Sequence, residues 1–262
     1  MATLSVVLIV RNGGADLIRA LESCQNIVKQ IDTEIILVDD FSSDNTLEIA
    51  KRFGAKTFQR HLNNDFAGQT NFALEQASGK WVFILDHDEV VTPLLASSII
   101  KAVLTEPLKE CVYLVKRVNC FKHLRLSHGV FRSSWFKRLF PRENAYYQGK
   151  VHQTLICPYQ KTQKLAGHLD HYTISNLPAY WQKQAFYAGL FAEKKVASSS
   201  SSCPAKITII LKTLAAFLQS YVMWLGFLDG FWGWYFSLQF AIYTANRYSQ
   251  IYALKHQLGH EL

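Results

Sequence analysis

The sequence predicts an α/β fold, a mostly parallel, doubly wound sheet, with a helical extension at its C-terminal end. Three observations carry this. Over residues 1–105, short β-branched runs alternate with amphipathic stretches in the order β-α-β-α-β-α-β-α. The run Trp81-Val-Phe-Ile-Leu85 is apolar on both faces, as a strand covered on both sides must be, and it leads into Asp86-His87-Asp88-Glu89. From Ile207 onward the composition shifts to long apolar and aromatic stretches.

The elements follow in order. Leu4–Val10 is the first strand and Asn12-Gly-Gly its turn. Asp16 is positioned to cap a helix whose apolar residues Leu17, Leu21, Cys24 and Val28 recur at helical spacing. Glu34–Val38 is a second strand, running into Asp39-Asp40-Phe41-Ser42-Ser43-Asp44-Asn45-Thr46. Those Ser and Asp residues suit a turn and the cap of a helix that Gly54 ends. Ala55–Gln59 is a short strand, residues 66–77 a helix terminated by Gly79, and 81–85 a strand. Thr92-Pro93 opens a helix to about residue 104. Three strand ends therefore bring Asn12, Asp39 with Asp40, and Asp86 with Asp88 toward one cleft, where open α/β sheets keep their ligands. Asp86 and Asp88, one residue apart, can reach one divalent cation and one sugar hydroxyl. Oxygen ligands suit a hard ion, Mg²⁺ or Mn²⁺.

Charge is unevenly distributed. Residues 1–110 carry net −5 and residues 111–262 net +13, so a half suited to a metal precedes one suited to an anionic partner. The five cysteines are odd in number and contain no C-x-x-C pair, which argues against a zinc ribbon or disulfide framework. The first apolar run is a strand and turn, not a signal peptide. No G-x-G-x-x-G follows the first strand and no P-loop motif occurs.

Ser5-Val-Val-Leu-Ile-Val-Arg-Asn12, Val38-Asp-Asp-Phe-Ser-Ser-Asp-Asn-Thr46, Gln69-Thr-Asn71 and Leu85-Asp-His-Asp-Glu89 occur in the order and spacing of one family. On these motifs residues 1–105 resemble the family 2 inverting glycosyltransferases of the GT-A fold, a Rossmann-like architecture. The resemblance implies a nucleotide-diphosphate-sugar donor. Asp40, helped by Asp39, would bind uracil, Asp86 the ribose, and Asp88 the metal on the diphosphate. Asn12, Gln69 and Asn71 would complete the donor site. Thr70 departs from the pattern, because relatives often carry Arg or Lys there, which leaves one cation fewer for the phosphates.

Residues 106–176 form an acceptor half of the same domain. Cys111–Val118 reads as a strand, and nine Lys and Arg fall between Lys116 and Lys150 against one acid, Glu143, with aromatics interleaved. Such mixing also suits single-stranded nucleic acid, but no nucleic-acid motif accompanies it and no nucleic-acid partner is expected. His128-Gly129, Arg138-Leu-Phe140 and Gly149-Lys-Val-His-Gln153 are similar to lipopolysaccharide inner-core β-glucosyltransferases of the WaaE and LgtF type. That similarity implies acceptor contacts from His128, Arg138, His152 and Gln153. It also implies UDP-glucose as donor and, as acceptor, a heptose on a phosphorylated lipid A-core glycolipid at the cytoplasmic face of the bacterial inner membrane. Relatives commonly read Val-His-Glu where this chain has Gln153, and glutamine cannot take a proton. Either the general base is another carboxylate, Glu89, Asp170 or Glu143, or the base role was never at this position. His168 and His171 form an H-x-x-H pair read as structural or acceptor-facing.

Leu177–Ala197 is an amphipathic helix and Ser198–Ser202 a linker, so the second domain is the extension 177–262. Ile207–Leu228 is long enough to span a bilayer, but Lys212, Gln219 and dense Trp and Tyr favour helices lying on an anionic membrane surface. Other readings stay open: a transferase of the same fold with another nucleotide sugar or a polyprenyl-linked acceptor, a non-catalytic nucleotide-sugar or nucleic-acid binding protein, and a buried helical hairpin in the tail.

Overall fold

A computed structural model of the chain describes residues 2–105, 111–149, 153–159, 161–174, 176–198 and 203–260. Its elements begin with β1 (Leu4–Val10), α1 (Gly14–Gln30), β2 (Thr33–Asp39), α2 (Thr46–Arg52), β3 (Lys56–Gln59), α3 (Phe66–Gln76) and β4 (Trp81–Ile84). There follow β5 (Glu89–Val91), α4 (Pro93–Thr105), β6 (Cys111–Phe121), β7 (Leu124–Leu126), β8 (Ser134–Pro141), β9 (Tyr146–Gln148), β10 (Thr154–Ile156) and β11 (Lys161–Ile174). The helices α5 (Leu177–Ala197), α6 (Lys206–Leu218) and α7 (Gly230–His260) complete the chain. It divides into two compact units: Met1–Val118 with Ser134–Tyr172, and Asn119–Ser133 with Thr173–Leu262. The segment 119–133, expected in the first domain, thus belongs with the C-terminal helices.

In the first unit the described strands run β3-β2-β1-β4-β8-β6-β11-β5. The first four are parallel, Val6 facing Ile35 on one side and Phe83 on the other. The expected doubly wound half is present, and the sheet then turns antiparallel through β8, so the whole sheet is mixed. Side-chain alternation along β1 builds two cores. Leu4, Val6, Leu8 and Val10 pack with α1 and α4, while Val7 packs with Ile36, Val38 and the α3 residues Ala73 and Leu74. Both faces of β1 are covered, which is why its sequence is a continuous apolar run.

Three local expectations change. Asp16 lies inside the first turn of α1 and pairs with Arg19, while the N-cap residue is Gly13, whose N–H donates to Thr46 Oγ1 (2.8 Å). Gly79 does not stop α3, which ends at Gln76. A Cβ there would fall 2.6 Å from the Ser5 backbone nitrogen, so only glycine lets β4 start this close to β1. Glu89–Val91, read as part of an acidic turn, is a three-residue strand antiparallel to β11.

In the second unit, Phe121, Leu126, Ile174 and Phe236 form a buried cluster joined by Phe131, Tyr180 and Trp232. The apolar run 207–228 is not one helix. It breaks after Leu218 into a π-helical turn at Gln219–Met223, Leu225 in the left-handed region (φ 59°) and a 3₁₀ turn at Gly226–Asp229. Gly226 and Gly233 permit this fold-back, since a Cβ on Gly233 would lie 1.7 Å from the Gly226 carbonyl oxygen. Lys206–Met223 is long and apolar enough to cross a membrane by length and composition, and 11% of it is buried.

Candidate active site

The strand order places a topological switch between β1 and β4, where the chain stops adding strands on the β2 side and moves to the other. Loops at such a point diverge and leave a crevice at the carboxyl ends of the strands. Asn12, Asp40 and Asp86 all follow those ends.

At the β2 end, Asp39 is fully buried and spends its carboxylate on the loop. It accepts from Ser42 N (3.0 Å), Ser42 Oγ and Gln59 Nε2 (3.1 Å). Asn12 ties the neighbouring loop to the same turn: its N–H donates to Ser42 Oγ (2.8 Å) and its Oδ1 accepts from Ser43 N (2.9 Å). Both residues shape the rim. Asp40 remains to face the cavity. It accepts from Leu62 N (3.0 Å) and lies 3.3 Å from the exposed Arg11. A cavity of about 260 Å³ beside it is lined by Ile9, Leu62, Phe66, Gln69 and His87. Phe41 holds φ at +49°, a costly conformation for a bulky residue, and stacks on His61 at 4.0 Å.

On α3, Gln69 is buried and grips Arg60 twice. Its Oε1 accepts from Arg60 Nη1 (2.8 Å) and its Nε2 donates to the Arg60 carbonyl (2.7 Å). A cation thus stands next to the position where Thr70 lacks one. Thr70 Oγ1 lies 3.0 Å from Gln153 Oε1, to which it donates. Asn71, expected at the donor, has its amide occupied by the Tyr147 main chain, at 2.8 and 2.7 Å.

At the β4 end, Arg138 organises the acids. Its Nη2 donates to Asp86 Oδ2 (2.8 Å) and to Glu89 Oε1 (2.6 Å), and the Asp86 N–H donates to Glu89 Oε2 (3.1 Å). Burial works to raise both carboxyls. Beside Arg138, Asp86 is nonetheless held well below the usual range, while the fully buried Glu89 is pushed well above it. A cavity of about 460 Å³ opens here, lined by Asp86, Arg117, Phe136, Arg138, Tyr147 and Gln153 among others. Glu89 does not line it.

Asp88 faces a residue from β11: His171 Nε2 lies 3.3 Å from Asp88 Oδ2. Burial, the largest single influence, raises the Asp88 carboxyl, but its hydrogen bond to His171 and the His171 and His87 rings together hold it low. Among the described residues no group of three His, Cys, Asp or Glu could hold a metal. Asp88 nonetheless could serve an ion of the Mg²⁺ or Mn²⁺ kind, which is bound through one or two carboxylates and completes its shell with substrate phosphates, with His171 as the partner that orients the carboxylate. Asp170 faces His168 instead, at 3.2 Å, and strand alternation directs it away from His171. Glu143 lines a separate cavity with Lys80 and Arg142.

His128 belongs to the second unit. Its Nδ1 lies 2.7 Å from Asp229, which also accepts from the Ser127 and His128 N–H groups. His152 lies outside the described residues. His171, marked by the H-x-x-H spacing and read as structural or acceptor-facing, stands against Asp88 instead, whereas Arg60 and Arg117 were not singled out by motif. Arg60 meets Gln69 across the β3–α3 loop, and Arg117 meets Glu89 and Phe136 from other strands, so no motif spacing marks either.

The profile of the family described as Glycosyl transferase family 2 matches residues 5–159. An uncharacterised glycosyltransferase of Rickettsia typhi is 35% identical over 99 residues, covering 38% of this chain and 32% of the relative. The uncharacterised glycosyltransferase YibD of Escherichia coli is 33% identical over 111 residues, covering 40% and 31%. The chain spans less than half the length of these curated relatives. Among solved structures, S. aureus TarS 1–349 is similar over 99% of this chain and 92% of that one, with 13% identity and a TM-score of 0.44. Glucosyl-3-phosphoglycerate synthase of Mycobacterium tuberculosis, in complex with Mn²⁺, UDP and phosphoglyceric acid, is similar over 45% and 43%, with 25% identity and a TM-score of 0.37. With the family profile covering more than half its residues, the chain belongs to glycosyl transferase family 2.

Proposed function

We propose that the protein is an inverting hexosyltransferase that uses a UDP-sugar, glucose by its motifs, and a divalent metal. Its acceptor is a heptose of the lipopolysaccharide or lipooligosaccharide inner core. The observation that carries the donor is the pairing of two carboxylate sites. Asp40, 8% exposed, borders an apolar cavity of nucleobase scale, and Asp86 and Asp88 stand at the end of the second strand over.

In this reading Asp40 accepts the uracil N–H while Asp39 holds the loop that presents it. Asp86, kept ionised by Arg138, accepts from a ribose hydroxyl. Asp88, oriented by His171, would hold the cation, which when bound would offset the charge of the departing diphosphate. The acceptor hydroxyl enters from the larger cavity and attacks the anomeric carbon as its proton passes to a carboxylate, giving a β-linkage from an α-linked donor. Gln153 donates or accepts a hydrogen bond in that cavity but takes no proton.

The extension supports a membrane-surface location at the cytoplasmic face. On α6, Ile207, Ile210, Leu211, Leu214 and Leu218 are all more than half exposed, a stripe at helical spacing that ends where the helix breaks. Flotation with anionic and neutral liposomes tests this: binding to neither would remove the membrane from the proposal.

The test of the donor is calorimetric titration with UDP-glucose in Mn²⁺ and then in EDTA, alongside UDP-galactose and GDP-mannose. Metal-dependent preference for UDP-glucose is expected. Equal binding of both UDP-sugars would drop glucose, and no binding of any nucleotide sugar would overturn the transferase chemistry.

A further inference from the structure

The larger cavity has one cation whose hydrogen-bonding capacity the protein leaves unused. Arg117 on β6 lies over the Phe136 ring at 4.2 Å. Its nearest acid is Glu89, at 3.8 Å, beyond hydrogen-bond length. Glu89 is already committed, Oε1 to Arg138 and Oε2 to the Asp86 N–H. Among the described residues the Arg117 side chain therefore donates no hydrogen bond, although it is only 25% exposed. Beside it, Arg138 is 91% buried at its side chain, and its Nε–H has no partner. An unfilled donor this deep carries a desolvation cost that a ligand acceptor would relieve.

Chemistry narrows the ligand. A guanidinium held over an aromatic ring presents planar, paired N–H groups, the geometry that suits phosphate and carboxylate. The antiparallel register sets Arg117 opposite Ser134, and strand alternation brings it to the face of Phe136, while Arg138 falls at a bulge in β8. All three line the cavity that ends at Asp86. A neutral sugar would offer these N–H groups hydroxyl acceptors but no charge to match Arg117.

Resting on the transferase reading for the role of this cavity, we propose that Arg117, backed by Phe136 and the Nε–H of Arg138, recognises an anionic group, phosphate or carboxylate, on the acceptor saccharide. The site thereby selects acidic sugars over neutral ones, and Arg117 is a specificity residue for the acceptor, not for the nucleotide.

The test is calorimetry on the full chain saturated with UDP and Mg²⁺, titrated with glucose 6-phosphate, glucuronate and glucose. The wild type is expected to bind at least one anionic sugar about ten-fold or more tighter than glucose, as a charge-assisted contact implies. The two anionic arms separate phosphate from carboxylate. Arg117→Gln should bring the preference close to unity with UDP affinity unchanged, and Arg117→Lys, which keeps the charge, should restore part of it. Equal binding of neutral and acidic sugars by the wild type would overturn the proposal. So would a preference that survives Arg117→Gln, or a loss of UDP affinity in step with it, which would assign the guanidinium to the donor. If UDP does not bind the wild type, the donor reading fails by itself. The sugar titrations repeated without nucleotide then still decide the role of Arg117.

Discussion

Arg138 Nη2 lies 2.6 Å from Glu89 Oε1, and this buried pair supports the acidic turn from beneath. The same nitrogen reaches Asp86 at 2.8 Å, so one guanidinium sets the position of a cleft carboxylate and hydrogen-bonds the buried acid below it. Arg138→Met removes that charge and leaves two carboxyls facing each other. Breaking a buried pair from one side costs about 3–5 kcal/mol. Urea denaturation should show a loss of that size, and a variant as stable as the wild type would mean that the pair contributes little.

Asp88 and His171 should act together on the cation. Asp88→Asn is expected to abolish transfer while thermal unfolding stays near that of the wild type. His171→Ala should raise the Mn²⁺ concentration needed for half-maximal UDP-sugar binding by about 10–100-fold, the usual penalty for losing a supporting metal-site contact. Titrating Mn²⁺ against a fixed UDP-sugar concentration measures it. An unchanged Mn²⁺ requirement would remove His171 from the metal site.

Gln69 predicts a local effect with a donor-side readout. Gln69→Leu keeps the volume but leaves the Arg60 carbonyl and guanidinium without partners, at a cost of about 1–3 kcal/mol for the buried group. UDP-sugar affinity should fall with it, because Gln69 lines the Asp40 cavity. Normal affinity in a destabilised variant would restrict Gln69 to the fold.

Glu34 gives the acid side of the stability profile. Burial would raise its carboxyl, but Lys56, the Ser5 hydroxyl and the Ser78 N–H and hydroxyl bring it from about 4.5 down to about 2. A carboxyl that is more acidic in the folded state binds fewer protons there than in the unfolded chain. Its stabilisation is therefore complete above pH ~4.5 and lost as pH falls toward ~2. Glu34→Gln should flatten the stability curve in that window and lower stability at neutral pH. A variant that keeps the wild-type slope below pH 4.5 would place the acid sensitivity elsewhere.

The residues explain what could be read in advance. β1 and β4 were legible because strands covered on both faces must be apolar throughout, and α1 because Leu17, Leu21 and Cys24 keep one face. Asp40, Asp86 and Asp88 were legible as chemistry because strand ends in a parallel sheet gather at one edge. Glu89 was not, since its charge suggested solvent or substrate, whereas Arg138, 49 residues later, draws it into the core. Asn71 followed a motif whose amide here serves the Tyr147 main chain, 76 residues away. The break after Leu218 escaped notice because a hydropathy run carries no record of the Gly226–Gly233 approach that folds it back.

The insertion of β8 between β4 and β6 also bears on synthesis. β4 pairs with β1 along one side, and its other side is closed by Pro141, Phe140 and Leu139, which emerge nearly sixty residues later. A nascent chain that has made β1 to α4 has a sheet with one raw border of Trp81, Val82 and Phe83. Such a border templates pairing with other chains until its partner arrives. The stretch 134–141 therefore works as a seal as well as a wall of the cleft, and truncations ending before Ser134 should collect in aggregates that full-length protein avoids.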